Sequence, residues 1–356
     1  MTTAFTYDAI PGRVVFGVGA RHGLCAELDA VGASRVLLVA STHEDDLATE
    51  IAEIGGERVV GRFSDVVQHV PVAKAADAVA MTKELDVDTI VTLGGGSATG
   101  FGKAISLECD VRSVAIPTTY AGSEMTTIWG LTDGDHKQTG KDPRVKPDIV
   151  IYDPELTVSL PPRIAGPSGM NALAHSVEAL YGPGANPVIS AMALESIAAL
   201  NVGLPKVTAD PDDIDGRTDV LYGAYLAGVA LATGGTALHH KACHVLGGMF
   251  NLNHGDMNAV VLGHALSYNA PAIPELMDRI GTALGVTAAE APAALHDLAA
   301  AIDAPTSLEA IGMPADGIDE AARRTVVEAA ANVRQPDEAG IRRMLDDAFH
   351  GRRPGS

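Results

Sequence analysis

VTLGGGSATGFGKAI, residues 91–105, is the stretch that decides the fold. A near-continuous apolar run leads straight into Gly94-Gly95-Gly96-Ser97, and a segment of helical period follows. A strand apolar on both faces belongs in a parallel sheet covered on both sides. Glycines let backbone amides approach an anion, and the N-terminus of the following helix adds a positive dipole. Such a turn also serves as a plain tight connection; the strand–turn–helix context favours phosphate. Outward from it, short β-branched runs at residues 14–16, 35–40, 58–60, 113–116 and 148–152 alternate with Ala-rich helical stretches such as 72–85. After Asp153-Pro154 the texture changes, and from Ile164 nearly every segment has helical period. The expectation is an α/β nucleotide-binding domain over residues 1–155 and an all-α domain over residues 156–356. The tail from Thr287 reads as shorter surface helices.

A second loop, AIPTTYAGSEMT, follows the next strand and offers the hydroxyls of Thr118 and Thr119 where strand ends in α/β sheets meet ligands. Tyr120 lies inside it, as a pocket wall or as packing. No G-x-G-x-x-G opens the first βα turn; FGVGARHGL is only a loose echo.

Composition narrows the function. A formal charge of −20 and 4% aromatic residues argue against nucleic acid and anionic membrane as partners. No run reads as the ~18 apolar residues of a membrane helix, and MTTAFTYDAIPG lacks the pattern of a signal peptide. Cys25, Cys109 and Cys243 form no disulfide framework and suit a reducing cytoplasm.

The chemistry-bearing residues lie in the second half. Asn171 and His175 stand four apart in GMNALAHSVEALY, and His240 and His244 four apart in HHKACHVLGG; His254 follows. Each i,i+4 pair shares a helix face. Three imidazoles with an acid could converge on a first-row metal, but the fourth partner is an amide, Asn171. His239 faces away and reads as a core histidine; Cys243 reads as packing.

GGGSATGFGKA, PTTYAGSE, the Pro147-Asp148 step into IYDPEL, GMNALAHSVEA and HHKACHVLGGMFNLNHGD occur in the order of the iron-containing (group III) alcohol dehydrogenase family, which the chain resembles over roughly residues 13–270. The resemblance implies a dehydroquinate synthase-like architecture: an α/β NAD(P)-binding domain and a helical catalytic domain. It assigns Gly95, Gly96, Ser97, Thr118 and Thr119 to the pyrophosphate and Lys137 to the ribose and nicotinamide. Ser41 falls where NAD-preferring relatives often carry an aspartate, which leaves NADH or NADPH open. In metal-dependent relatives an aspartate and three histidines hold iron or zinc; here the matching residues are Asn171, His175, His240 and His254.

Asn171, Gly100 (also an aspartate in the wider family) and the one-residue-shorter threonine loop resemble a branch that reduces a C=C bond conjugated to a ketone in a dicarboxylate, during aromatic-compound breakdown. Charge then develops as an enolate, which imidazole can stabilise, so no metal is expected to be required. The resemblance points to His240 as enolate stabiliser and acid, assisted by His244 or His254. His175 would orient and Asn171 would hydrogen-bond. The partner is a small dicarboxylate, with Arg144 and Lys141 as candidate cations, and the chain is expected to form a homodimer. The rivals are a metal-dependent alcohol or polyol dehydrogenase, a lyase resembling dehydroquinate synthase, and a non-catalytic nucleotide-binding protein.

Overall fold

The computed structural model describes residues 4–134 and 136–355, the side chain of Lys137 excepted. The chain divides into two compact units, Ala9–Leu160 and Pro161–Ser356, the latter with the residues up to Asp8.

In the first unit six strands form one parallel sheet: β1 (Arg13–Phe16), β2 (Val36–Ala40), β3 (Val59–Phe63), β4 (Thr89–Gly94), β5 (Arg112–Pro117) and β8 (Ile149–Tyr152), in the order β1-β8-β5-β4-β2-β3. Successive side chains of a strand point to opposite faces. Val36, Leu38 and Ala40 therefore pack with α1 (Leu24–Ala30) and α2 (Asp45–Gly55), while Leu37 and Val39 pack with α3 (Val72–Glu84) and α4 (Gly96–Glu108). Helices on both faces explain why β2 and β8 are apolar along their whole length. From β2 the chain moves one way to β3, then returns across β2 to β4, β5 and β8. The order reverses between β2 and β4, and ligands of such sheets sit beyond the strand ends at that point.

The α/β and helical expectation holds. A hairpin, β6 (Ile128–Asp133) with β7 (His136–Lys141), was not anticipated. Its strands carry neither a long apolar run nor a clean alternation.

The second unit is helical: α5 (Pro162–Ala179), α6 (Pro187–Ala209), α7 (Ile214–Gly234), α8 (Leu238–Phe250), α9 (His254–Asn269), α10 (Pro274–Leu284), α11 (Ala291–Ala301), α12 (Ile318–Glu328) and α13 (Glu338–Phe349). Two expectations are corrected. The tail is not superficial: Ala321 and Ala322 of α12 and Ile341, Leu345 and Ala348 of α13 are buried in one cluster with Leu246 and Val261. Small alanines on amphipathic helices understate how closely those helices pack. Also, α6 is long and apolar enough to cross a membrane by length and composition, with 44% of its apolar window buried inside the protein. Its Ile189, Ile197, Leu200 and Leu204 are core residues.

Candidate active site

The glycine turn sits where the sheet topology calls for a ligand. Gly95 caps α4, whose 13 residues start at Gly96 directly beyond β4. A Cβ on Gly95 would lie 2.9 Å from Thr119 Cγ2 and 3.0 Å from its Oγ1, so the threonine loop closes on the turn only because Gly95 has no side chain. Thr118 joins the same turn through its N–H, donated to the Gly94 carbonyl at 3.2 Å, and its hydroxyl donates to Glu44 Oε1 at 3.0 Å.

Behind the loop, buried Lys103 donates to the Ser123 carbonyl at 2.8 Å, to Thr126 Oγ1 at 2.9 Å and to the Thr126 and Ile128 carbonyls at 3.0 and 2.5 Å. Burial pushes its ammonium down to about 7 against the attraction of Glu124; the ring of acceptors is what keeps it tied to the loop. Ser41 follows β2, and its carbonyl accepts from Arg62 at 3.0 Å. Backbone amides at a helix start, a glycine cradle and facing hydroxyls are the kind of donors a pyrophosphate takes, and Gly95, Gly96, Ser97 and Thr119 are the residues that could hold one. Tyr120 is fully buried. The side chain of Lys137 lies outside the described residues. Arg144 is spent on Asp142, at 2.7 Å, and on the Leu107 carbonyl at 3.1 Å, and Lys141 ends β7.

The histidines gather in the helical unit. Gly234 packs against Ala179, where a Cβ would come within 2.6 Å of Ala179 Cβ, and Gly235 takes φ 76°; α8 then leaves α7 at 94°. That bend lays the first turn of α8 on the end of α5. Glu178, three residues beyond His175 on α5, accepts there from the backbone N–H of His239 at 2.6 Å and of His240 at 3.3 Å. One helix thus supplies the capping carboxylate of another. Glu178 Oε2 also lies 2.7 Å from His240 Nδ1.

His240 is the hub. Its ring stacks on His175 at 4.8 Å and 14°, and its centroid lies 4.9 Å from that of His239, 6.3 Å from His244 and 6.4 Å from His254. His175 and His240 are buried, and His175 Nδ1 and His240 Nε2 have no partner among the described residues. Burial, then neighbouring imidazoles, hold both well below the ordinary histidine value. His239 does not turn away from the group: its Nε2 donates to the Asn258 carbonyl at 3.1 Å and its Nδ1 lies 3.3 Å from His240 Nδ1. His244 and His254 are exposed, and His244 opens onto a groove of about 630 Å³ that Arg323 and Arg324 of α12 also line.

The family's metal finds a poor donor set here. Asn171 replaces the carboxylate, and its Oδ1 already accepts from Asn258 Nδ2 at 3.0 Å. The cluster's carboxylate, Glu178, forms a tight group with His239 and His240, but its 2.7 Å contact with Nδ1 is a hydrogen bond. Two donors of one tetrahedral zinc at ~2.05 Å would stand about 3.3 Å apart. The residues present do not fit a carboxylate-anchored ion.

Glu178 is the residue that sequence reading missed. Its signal was there: Asn171, His175 and Glu178 follow the i, i+4, i+7 pattern of one helix face, with a bare charge inside an apolar run.

Comparison with known proteins identifies the family and the fold. The family profile for iron-containing alcohol dehydrogenases covers residues 11–154, and that for their C-terminal domain covers residues 166–349. The chain is 46% identical to the maleylacetate reductase of Sphingobium indicum, over 98% of this chain and 99% of that one. It is 47% identical to that of Burkholderia cepacia, over 99% of each. The crystal structure of maleylacetate reductase from Agrobacterium tumefaciens superposes with a TM-score of 0.96 at 40% identity, covering 99% of this chain and 100% of that one.

Proposed function

This chain belongs to the iron-containing alcohol dehydrogenase family, and from that premise we propose that it is an NAD(P)H-dependent maleylacetate reductase acting in aromatic-compound breakdown. The observation that carries the reading is the donor cluster around His240, in which a neutral amide stands at Asn171 and the carboxylate of Glu178 is tied to backbone and imidazole.

Maleylacetate holds a C=C bond conjugated to a ketone, with a carboxylate at each end. Reduced nicotinamide, when bound, supplies hydride for the alkene carbon β to the ketone and leaves as NAD(P)⁺. The π pair of the C=C bond becomes an enolate, a far weaker base than the localised alkoxide of alcohol chemistry. His240, carrying a second proton on Nε2, hydrogen-bonds the enolate oxygen and then gives that proton to the α carbon, which completes 3-oxoadipate and returns the ring to its neutral form. Imidazole suffices for a charge so dispersed, so the reaction proceeds without a metal. His175, stacked on His240, keeps the ring in place. Arg323 and Arg324 line the groove onto which His244 opens, but both pair there with Glu320, at 2.9 and 2.7 Å, so they are not free cations for a substrate carboxylate. NADH and NADPH both remain compatible with Ser41 beside Arg62. Three free cysteines support a cytoplasmic setting.

The test follows the reduced-nicotinamide absorbance with chelator-treated protein. Turnover is expected with maleylacetate and not with simple aldehydes or ketones. Activity that disappears on chelation and returns with iron or zinc would overturn the metal-free mechanism. Activity on alcohols without any on maleylacetate would favour a metal-dependent dehydrogenase instead.

A further inference from the structure

We infer that Glu178 is a positioning residue for the proposed reductase: it locks the His240 ring so that Nε2 is the nitrogen that presents the acid proton. The chemical role rests on the maleylacetate reading, whereas the geometry rests on hydrogen bonds alone.

Two independent contacts assign the hydrogen on His240 Nδ1. Glu178 Oε2 faces it at 2.7 Å. His239 Nδ1 faces it at 3.3 Å, and that nitrogen bears a lone pair, because His239 Nε2 lies 3.1 Å from the Asn258 carbonyl, which can only accept. With acceptors on both sides, neutral His240 carries its proton on Nδ1. The contact between Nδ1 and Oε2 holds one proton whichever atom owns it. Any further proton on the pair therefore goes to Nε2, which is buried and has no partner among the described residues. Rotation of the ring is opposed by the face-to-face stack with His175 and by the capping bonds that hold Glu178. A residue that never touches substrate thus selects the reactive nitrogen.

Glu178→Gln tests this. The short 2.6 Å contact with the His239 N–H favours the amide oxygen at the Oε1 position, at the expense of the longer 3.3 Å bond from the His240 N–H, and sets the NH₂ at the Oε2 position, donating to His240 Nδ1. The tautomer reverses, and the form with protons on both nitrogens is disfavoured. The expected result is a kcat for maleylacetate lowered about 100-fold or more, with NADH affinity unchanged within error. Nitrogen-15 NMR of the full chain with labelled histidine, the His240 signals assigned by a His240→Gln variant, gives the second readout. Neutral His240 should be protonated on Nδ1 in the wild type and on Nε2 in Glu178→Gln. A wild-type proton on Nε2, or a reversed tautomer with unchanged kcat, overturns the proposal. If Glu178→Gln fails to fold, the wild-type spectrum decides alone. Absence of any maleylacetate turnover in the wild type would sink the reaction assignment and leave the tautomer measurement to judge the geometry.

Discussion

The carboxamide oxygen of Asn171 accepts a hydrogen bond from Nδ2 of Asn258 at 3.0 Å, and the same Nδ2 donates to the His254 carbonyl at 2.7 Å. Asn258 therefore ties α5 to the first turn of α9, while its own carbonyl receives His239. An aspartate at position 171 would keep this bond and place a negative charge among the imidazoles. Asn171→Asp is expected to fold, to take up more added zinc than the wild type, and to gain no maleylacetate turnover. Metal analysis beside the absorbance assay checks it; a rate that climbs with bound metal would refute the role given to the amide.

Gly95 and Thr119 make the second test. A methyl group on Gly95 would meet Thr119 at about van der Waals overlap, 2.9 Å from Cγ2, so Gly95→Ala must push the threonine loop off the glycine turn. The expected effect is a weakening of NADH binding of about tenfold, or ~1.4 kcal/mol, read by quenching or enhancement of nicotinamide fluorescence. Thr119→Ala in the same chain makes room and should recover part of the fold but not the lost hydroxyl.

Gly100, where the wider family carries an aspartate, lies under Val70: a Cβ there would come within 2.7 Å of Val70 Cγ2. Val70 itself holds φ 47° and follows His69 at φ 65°, a left-handed pair that β-branched side chains resist. Gly100→Asp is expected to cost about 1–3 kcal/mol through overpacking, seen as a lower thermal midpoint. Val70→Gly should relieve both the clash and the strained backbone, so the double variant should be more stable than Gly100→Asp alone. Equal midpoints for the two would show that Val70 does not block this position.

His264 makes stability fall with acid. Burial, then its neighbour His296, lowers it from 6.5 to about 4 against the pull of Asp347. Burial likewise lowers His239 to about 3. The unfolded chain takes up these protons near pH 6.5, whereas the native chain refuses them until much lower pH. Their contribution is thus complete above about pH 6.5 and is lost as pH drops toward 4. Thermal midpoints recorded across that window should decline, and His264→Asn should flatten the slope. An unchanged slope in the variant would place the titration elsewhere.

The sheet was readable because its physics is local. Residues 89–93 and 113–116 are mostly apolar on both faces, as suits a strand between two helical layers, and those two strands end within a residue of their expected positions. By contrast β3, expected at 58–60, runs Val59–Phe63 because Gly61 and Arg62 break its apolar pattern. The hairpin of β6 and β7 escaped notice since neither strand has a strong apolar pattern, and the β6 side chains up to Thr132 are only half-buried. The helical tail was misjudged for a related reason. Alanines at 321, 322 and 348 bury little area each and say nothing about which helix will lie against them.

What the residues by themselves determined was the division into a β-alternating and a helical half, the glycine turn after β4, and the spacing that puts His240 and His244 on one face. What only the tertiary structure decided was which nitrogen of which histidine is free to react. That depends on a carboxylate 62 positions away in the chain, brought to His240 by the bend after Gly234. Periodicity reports how a segment will coil and which face it will bury. Hydrogen-bond direction is set by the partner across the interface, and a partner distant in sequence leaves no periodic trace.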